Sequence, residues 1–250
     1  MRTWALAGAA ACALAVAGPA ANAANYQLGF ILDSSGSIGS TGWNQIRTGL
    51  ATAINALIPV GGPDTYSISV VSFSTNAVIN VANVAITDAA SKASVVSTIS
   101  TLPFLNANTN FAAAFSAMQT ALGPTAGYAA SYVNFATDGV QNVGGTGQPE
   151  RNALLAAGVD NISVEGIGSG VDAADLQANF CSPQPCDTTV PFNFPAQGFY
   201  TAVASTAQWE AAISYKIAVI TGQVPEPATL ALFGSGLVGL GLLARRRKAA

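Results

Sequence analysis

The residues best suited to do chemistry fall in three short stretches. The first is Asp33-Ser34-Ser35-Gly36-Ser37, which closes the apolar run Gln27–Leu32. Alternate residues of an extended segment point the same way, so one carboxylate and the hydroxyls of Ser35 and Ser37 can converge. The second is Asp138, just after the apolar run Tyr132–Ala136. The third is Asn108-Thr109-Asn110, immediately before an apolar helical pattern that begins at Phe111. Two carboxylates and three hydroxyls form an all-oxygen donor set, the kind that hard divalent cations such as Mg²⁺ prefer.

The chain has no histidine. That excludes a Ser-His-Asp triad, a Cys-His pair and any His-ligated zinc or haem. Gly234-Ser235-Gly236-Leu237-Val238-Gly239 spells a dinucleotide fingerprint, but it has no strand before it and no acid some 20 residues later, so the required context is missing. Residues 24–223 carry Arg47, Lys92, Arg151 and Lys216 against eleven acids, a net charge of −7. Such a domain repels phosphate backbones, so no nucleic-acid partner is expected, and it attracts cations.

The elements that must position these residues alternate strand and helix. Strands are expected at 27–32, 66–73, 78–86 (at the sheet edge), 132–136, 162–167 and 199–203. Helical spacing is found over 43–58, after Asp88, from Phe111 to Leu122, over 150–157 and 172–180, and from a Ser205/Gln208 capping box through Trp209, Ile213, Ile217 and Ile220. Strands separated by helices require crossovers. The fold class is therefore α/β: a three-layer, doubly wound, mainly parallel sheet with helices on both faces. In such sheets, ligand sites form at the ends of strands, where Asp33 and Asp138 stand.

The order Asp33-x-Ser35-x-Ser37, then Thr109, then Asp138 resembles a von Willebrand factor type A (VWA) domain and its metal-ion-dependent adhesion site. The resemblance spans about residues 26–221. It implies a Rossmann-like VWA fold and a metal set of Asp33, Ser35, Ser37, Thr109 and Asp138. It also implies Mg²⁺ as the metal, with Mn²⁺ or Ca²⁺ as alternatives. In the family the serines and threonine bind directly or nearly so, the aspartates often act through water, and one position stays open for an acidic side chain of a partner. Mostly neutral ligands leave the cation electrophilic enough to seek that external carboxylate. Two features depart from the family: Asn106-Ala107-Asn108 stands where a glycine-rich approach is common, and residues 181–198 form an insertion.

Both ends read as addresses. Arg2, an apolar run from Trp4 to Gly18, Pro19 and Ala21-Asn22-Ala23 make residues 1–23 a secretory signal. Its loss removes Cys12 and leaves Cys181 and Cys186 in an export compartment, where a disulfide is expected. The closed loop is short, so its contribution is about 2 kcal/mol at most. Residues 224–250 contain Pro225-Glu226-Pro227, an uncharged stretch from Ala228 to Ala244, and Arg245, Arg246, Arg247 and Lys248. As a helix that stretch falls just short of the hydrocarbon core of a bilayer, with the basic cluster expected on the cytoplasmic side. The arrangement resembles the PEP-CTERM sorting signal. The resemblance implies recognition and removal by an exosortase-type enzyme in a Gram-negative, exopolysaccharide-making bacterium. The domain plan is thus 1–23 signal, 24–223 VWA domain and 224–250 sorting segment, transiently anchored in the inner membrane.

These readings lead to an exported Mg²⁺-dependent protein-binding module for adhesion or matrix assembly, and not to an enzyme. The enzymatic rival is a metal-dependent phosphohydrolase on the same scaffold. It would want Asp-x-Asp after the first strand, where Ser35 stands, and a phosphate clamp, which four scattered basic residues do not supply. A third reading is a structural matrix protein whose metal only stabilises the fold. Among the remaining residues, Glu165 reads as an acid near a strand end in preference to a second metal ligand, and Trp209 and Phe199 as core in preference to ligand-binding residues. Phe192 and Phe194 read as part of a loop folded over the sheet edge in preference to an exposed contact patch.

Overall fold

A computed structural model describes residues 23–223 of the chain. The predicted signal and sorting segments lie outside these residues, apart from Ala23. Six strands form one sheet: β1 (Asn25–Asp33), β2 (Thr65–Phe73), β3 (Ala77–Ile86), β4 (Ala130–Thr137), β5 (Asn161–Ile167) and β6 (Tyr200–Val203). Their order is β3-β2-β1-β4-β5-β6. Every pair is parallel except β2–β3, whose short link over 74–76 permits only a hairpin. Strands covered on both faces must be apolar throughout, and β1 and β4 are buried along almost their whole length.

The helices are α1 (Gly39–Leu57), α2 (Ala89–Ser100), α3 (Phe111–Leu122), α4 (Gln148–Ala156), α5 (Ala173–Asp175) and α6 (Thr206–Ile220). One face of the sheet packs on α1, α2 and α6 through Trp43, Leu50, Ile99, Trp209 and Ile213. The other packs on α3, α4 and the α5 region through Phe111, Phe115, Met118, Leu154 and Phe180. α3 rides so close to β1 that a Cβ on Gly29 would lie 2.6 Å from Met118 Sδ. Glycine there lets the helix seat directly on the central strand.

Three local expectations change. Residues 172–180 are not one regular α-helix: after α5 the chain widens into a π turn over Leu176–Phe180, and Cys181 N–H reaches back to Leu176 O at 3.1 Å. The Ser205/Gln208 capping box does not form. Ser205 precedes α6 but gives no side-chain cap, because the Gln208 amide is taken by the Ser205 carbonyl at 3.0 Å. Glu165 is not an acid at a solvated strand end. It is fully buried in β5, 2.5 Å from the equally buried Lys216 of α6.

The insertion 181–198 lies back on the fold. Phe192 stacks on Phe199 with ring centroids 4.2 Å apart, and Phe194 meets Tyr132 edge-on at 4.8 Å. Phe199 and Trp209 are core residues. The sulfurs of Cys181 and Cys186 are at bonding distance, with their Cα atoms 5.7 Å apart.

Candidate metal centre

β1 delivers Asp33 to the C-terminal edge of the sheet, and the chain then turns sharply through Ser34 and Ser35 into a single 3₁₀ turn, Gly36–Ile38. The turn folds back on its own start: Ser35 N–H donates to Asp33 Oδ1 at 2.8 Å. The hydroxyls of Ser35 and Ser37 are thereby brought to 3.1 Å from each other. β4 runs parallel beside β1, with Leu32 opposite Ala136, so its end lies at the same edge. Asp138 follows it, and Ser37 Oγ donates to Asp138 Oδ1 at 2.8 Å. Asp33, Ser35, Ser37 and Asp138 therefore form one connected oxygen cluster.

Thr109 is buried, lies in the α2–α3 loop that bonds to the Ser34–Gly36 turn, and has no direct hydrogen bond to the other four among the described residues. Bonds from two other segments hold the α2–α3 loop, and Thr109 within it, in place from both sides. On one side, Asn106 N–H donates to Ser34 O (3.0 Å), Leu105 N–H to Ser34 Oγ (2.9 Å) and Gly36 N–H to Ala107 O (2.8 Å). On the other, Thr109 N–H donates to Asn142 Oδ1 and Asn142 N–H donates to Thr109 O, both at 3.0 Å. Asn106 takes the left-handed conformation, with φ 51°, that a glycine-rich loop would otherwise supply. Asparagine tolerates it better than other side chains. Gly170 backs the site: a Cβ there would lie 2.6 Å from Asp138 O.

Spacing alone did not single out Thr137, Ser34 or Asn142. Thr137 Oγ1 donates to Asp33 Oδ2 at 2.6 Å, so both oxygens of that carboxylate are engaged. The signal for Thr137 was its place directly before Asp138 at a strand end next to Asp33. Ser34 and Asn142 act through backbone groups of distant loops and leave no spacing signal.

The electrostatics favour a cation. Asp33 is fully buried, and desolvation pushes its carboxyl up to about 6, against the pull of the Ser35 and Thr137 hydrogen bonds and with a further push from the Asp138 charge. Burial also raises Asp138, partly offset by Ser37. No basic side chain offsets these acids: among the described residues the one ion pair is Lys216–Glu165. Arg47 and Lys92 bond to backbone carbonyls at Ser100 and Leu102 and at Asn55 and Ile58. A buried carboxylate without a cationic neighbour is costly unless a counter-charge is bound. Among the described residues no three His, Cys, Asp or Glu side chains are grouped so that they could hold a metal ion, so any metal here draws on hydroxyls as well as the two acids. The donor chemistry fits a divalent cation.

Comparisons with known proteins agree with this fold. The family model of the von Willebrand factor type A domain matches residues 27–199, and that of the PEP-CTERM protein-sorting motif matches 223–248. No curated protein matches the chain. Among solved structures, proximal thread matrix protein 1 from the mussel byssus aligns with a TM-score of 0.62 at 18% identity, over 80% of this chain and 46% of its own. A form of the same mussel protein described as having a zinc-occupied MIDAS motif aligns with a TM-score of 0.62 at 16% identity, over 80% and 49%. The pilus adhesin SpaC from Lactobacillus rhamnosus GG aligns with a TM-score of 0.55 at 15% identity, over 81% and 31%. The chain spans about half the length, or less, of these structures. The likeness to them is one of fold. Among the described residues no helix is long and apolar enough to cross a membrane, and the predicted anchor at 228–244 lies outside them. The match over most of the folded region, on a sheet whose ends carry the Asp33–Ser37 turn and Asp138, makes this chain a member of the von Willebrand factor type A domain family, followed by a PEP-CTERM sorting motif.

Proposed function

We propose that the chain is an exported, Mg²⁺-dependent protein-binding module for adhesion or matrix assembly at a bacterial surface. The observation that carries this reading is the connected set Asp33, Ser35, Ser37 and Asp138 around a buried carboxylate that forms no ion pair among the described residues. Ser35, Ser37 and Thr109 would hold the metal, with Asp33 and Asp138 in support. When bound, the cation supplies an electrophilic position for a carboxylate of the partner. The protein's part is to keep three hydroxyls and two acids aligned before binding, through Thr137, Ser34 and Asn142. Mn²⁺ and Ca²⁺ are the alternatives.

The fold neighbours support the class. A mussel byssus matrix protein and a pilus adhesin are built on this fold, and one form of the former is described with zinc at its MIDAS motif. The sorting motif supports export and a passage through the inner membrane before an exosortase-type enzyme acts. In this reading the working form spans about residues 24–223 and is a binder and not an enzyme.

Calorimetry with Mg²⁺, Mn²⁺ and Ca²⁺ tests the site, and capture from the producing cell's surface fraction with Mg²⁺ or with chelator tests the function. Thr109→Ala should abolish capture while the thermal transition of the chelated protein stays in place. Capture that is indifferent to both chelator and Thr109→Ala would sink the proposal.

A further inference from the structure

Asp33 and Asp138 close the C-terminal ends of β1 and β4, and the opposite edge of the sheet carries a second concavity. Tyr26, Tyr66 and Tyr132 stand side by side there on β1, β2 and β4. Tyr26 stacks on Tyr66 at 5.6 Å and on Tyr132 at 6.1 Å. Phe194 and Pro195 of the 181–198 insertion form one wall, and the last turn of α6 forms another. Together with Asp64 they enclose a cleft of about 330 Å³. Nothing in the metal-site reading uses it.

The way α6 ends suggests its occupant. Gln223 N–H donates to Ala218 O at 2.8 Å and Gly222 N–H to Val219 O at 3.4 Å, with Gly222 at φ 67°. This double bond pattern is a Schellman cap, which fixes the direction in which the chain leaves a helix. Thr221 and Gly222 themselves line the cleft, so the chain leaves from its lip. The next residues are Val224-Pro225-Glu226-Pro227. Grooves walled by aromatic rings take proline-rich segments, because the polyproline II form is extended and already ordered before binding.

Charge sets the orientation. Asp64 is the one charged residue among the described residues lining the cleft, and one of its oxygens accepts the Ala24 N–H at 3.0 Å. It disfavours a carboxylate inside. Three residues complete a polyproline II turn, so in that form Pro225, Glu226 and Pro227 would occupy three different faces. Both prolines can contact the cleft while Glu226 faces water. A tether of only a few residues gives a local concentration in the millimolar range, so a seat with weak affinity is still occupied.

We propose that this cleft is the seat of the chain's own Val224–Pro227 segment, with the prolines against the tyrosine rings and Phe194. Because the same segment carries the sorting motif, the sorting enzyme has to lift it from the domain, and the released form has an open cleft. That consequence rests on the sorting reading; the seating itself does not.

The test is made on two natural forms. The released form is titrated with the synthetic peptide Gln-Val-Pro-Glu-Pro-Ala up to about 10 mM, the range a tethered seat requires, while the aromatic ring resonances are followed by NMR. The ring signals of Tyr26, Tyr66, Tyr132 and Phe194 should shift, and a peptide with both prolines replaced by alanine should bind at least tenfold more weakly. The full chain in detergent micelles should already show the bound ring positions, and Pro225→Ala with Pro227→Ala should return them to the free positions. Both substitutions lie beyond the folded domain, so folding is not at stake. Absence of shifts in the peptide titration overturns the proposal. So does peptide binding with full-chain ring signals at the free positions, which would make the cleft a site for a foreign proline-rich peptide. Ring shifts that depend only on protein concentration would make a second copy the occupant and overturn it too. Intact mass of the secreted protein reads sorting separately.

Discussion

Thr137 and Asp33 lie 104 positions apart in sequence and meet at 2.6 Å, the threonine hydroxyl donating to Asp33 Oδ2. The contact exists because β1 and β4 are parallel neighbours that end at the same level. It lowers the cost of burying Asp33 and fixes which way the carboxylate faces. Thr137→Val keeps the shape and removes the donor. Leaving a buried acceptor unsatisfied costs about 1–3 kcal/mol. The expected result is a further rise of the Asp33 pKa in a carboxyl NMR titration and a weaker metal isotherm, with Thr137→Ser restoring both. An unchanged Asp33 titration in Thr137→Val would remove this residue from the site.

Metal binding should appear as added stability. A ligand that binds only the folded state adds about 2.7 kcal/mol at one hundred times its Kd. For a domain of this size that raises Tm by roughly 5–10 °C. The shift should be present in wild type and absent in both Asp33→Ala and Asp138→Ala. A shift of the same size in both variants would place the metal elsewhere.

The same acids predict a pH dependence. Asp33 is raised from 3.8 to about 6 by burial. In the metal-free protein its protonation therefore contributes stability that is fully present below pH 3.8 and lost as pH rises through about 6. Metal binding reverses the preference, because the cation must displace that proton. Apparent affinity should be flat above pH 7 and fall by about tenfold per pH unit below 6. An affinity that stays constant from pH 7 to 5 would contradict the assignment of Asp33 to the site.

Much of the architecture was legible because a parallel sheet covered on both faces needs continuous apolar runs, and 27–32, 66–73 and 162–167 are such runs. The site was legible for a related reason: Asp33 and Asp138 are abrupt polar stops at the ends of two of them. Residues that act across the fold were not legible. Nothing in the spacing tells that position 216 of a helix will face position 165 of a strand, so Glu165 looked like a solvated acid. Thr137 and Asn142 were hidden because their partners are one carboxylate and one loop backbone far away in sequence. The Ser205/Gln208 pair failed for a local reason: a backbone carbonyl already satisfies the amide that the cap would have used.

Cys181 and Cys186 close a short loop whose residues already bond to one another. Gln184 Nε2 donates to Cys181 O at 2.8 Å, and Cys186 N–H donates to Gln184 Oε1 at 3.0 Å. Mass spectrometry of the non-reduced exported protein should find the peptide lighter by two hydrogens than its reduced form. Because the loop is short, reduction should cost only about 2 kcal/mol and leave metal binding in place. Two free thiols in the native exported protein would contradict the pairing.

The Lys216–Glu165 pair gives the sharpest test of the core, because its two single variants and its double variant should behave in opposite ways. Both side chains are fully buried. Lys216 Nζ lies 2.5 Å from Glu165 Oε1, 2.6 Å from Asn134 Oδ1 and 4.9 Å from the centroid of the Phe199 ring. Burial works against both charges: it lowers Lys216 from 10.5 to about 8 and raises Glu165, each partly offset by the other. The lysine's charged form is thus a cost to the fold. Between pH 8 and 10.5 the unfolded chain holds the Lys216 proton more firmly than the native one, so this group's contribution improves as pH rises across that window. The glutamate contributes stability below its unfolded value of 4.5 and loses it as pH rises through its higher folded value. Removing one partner leaves the other buried and uncompensated, so Lys216→Met should lower stability at pH 7 by about 3–5 kcal/mol. The double variant Glu165→Leu, Lys216→Met replaces the pair by apolar groups of similar size and should lie near wild type or above it. Denaturant unfolding of the three variants beside the wild type decides the matter. A double variant as unstable as the single one would mean that the pair contributes net stability to the union of α6 and β5, and not merely a mutual cancellation of two burial costs.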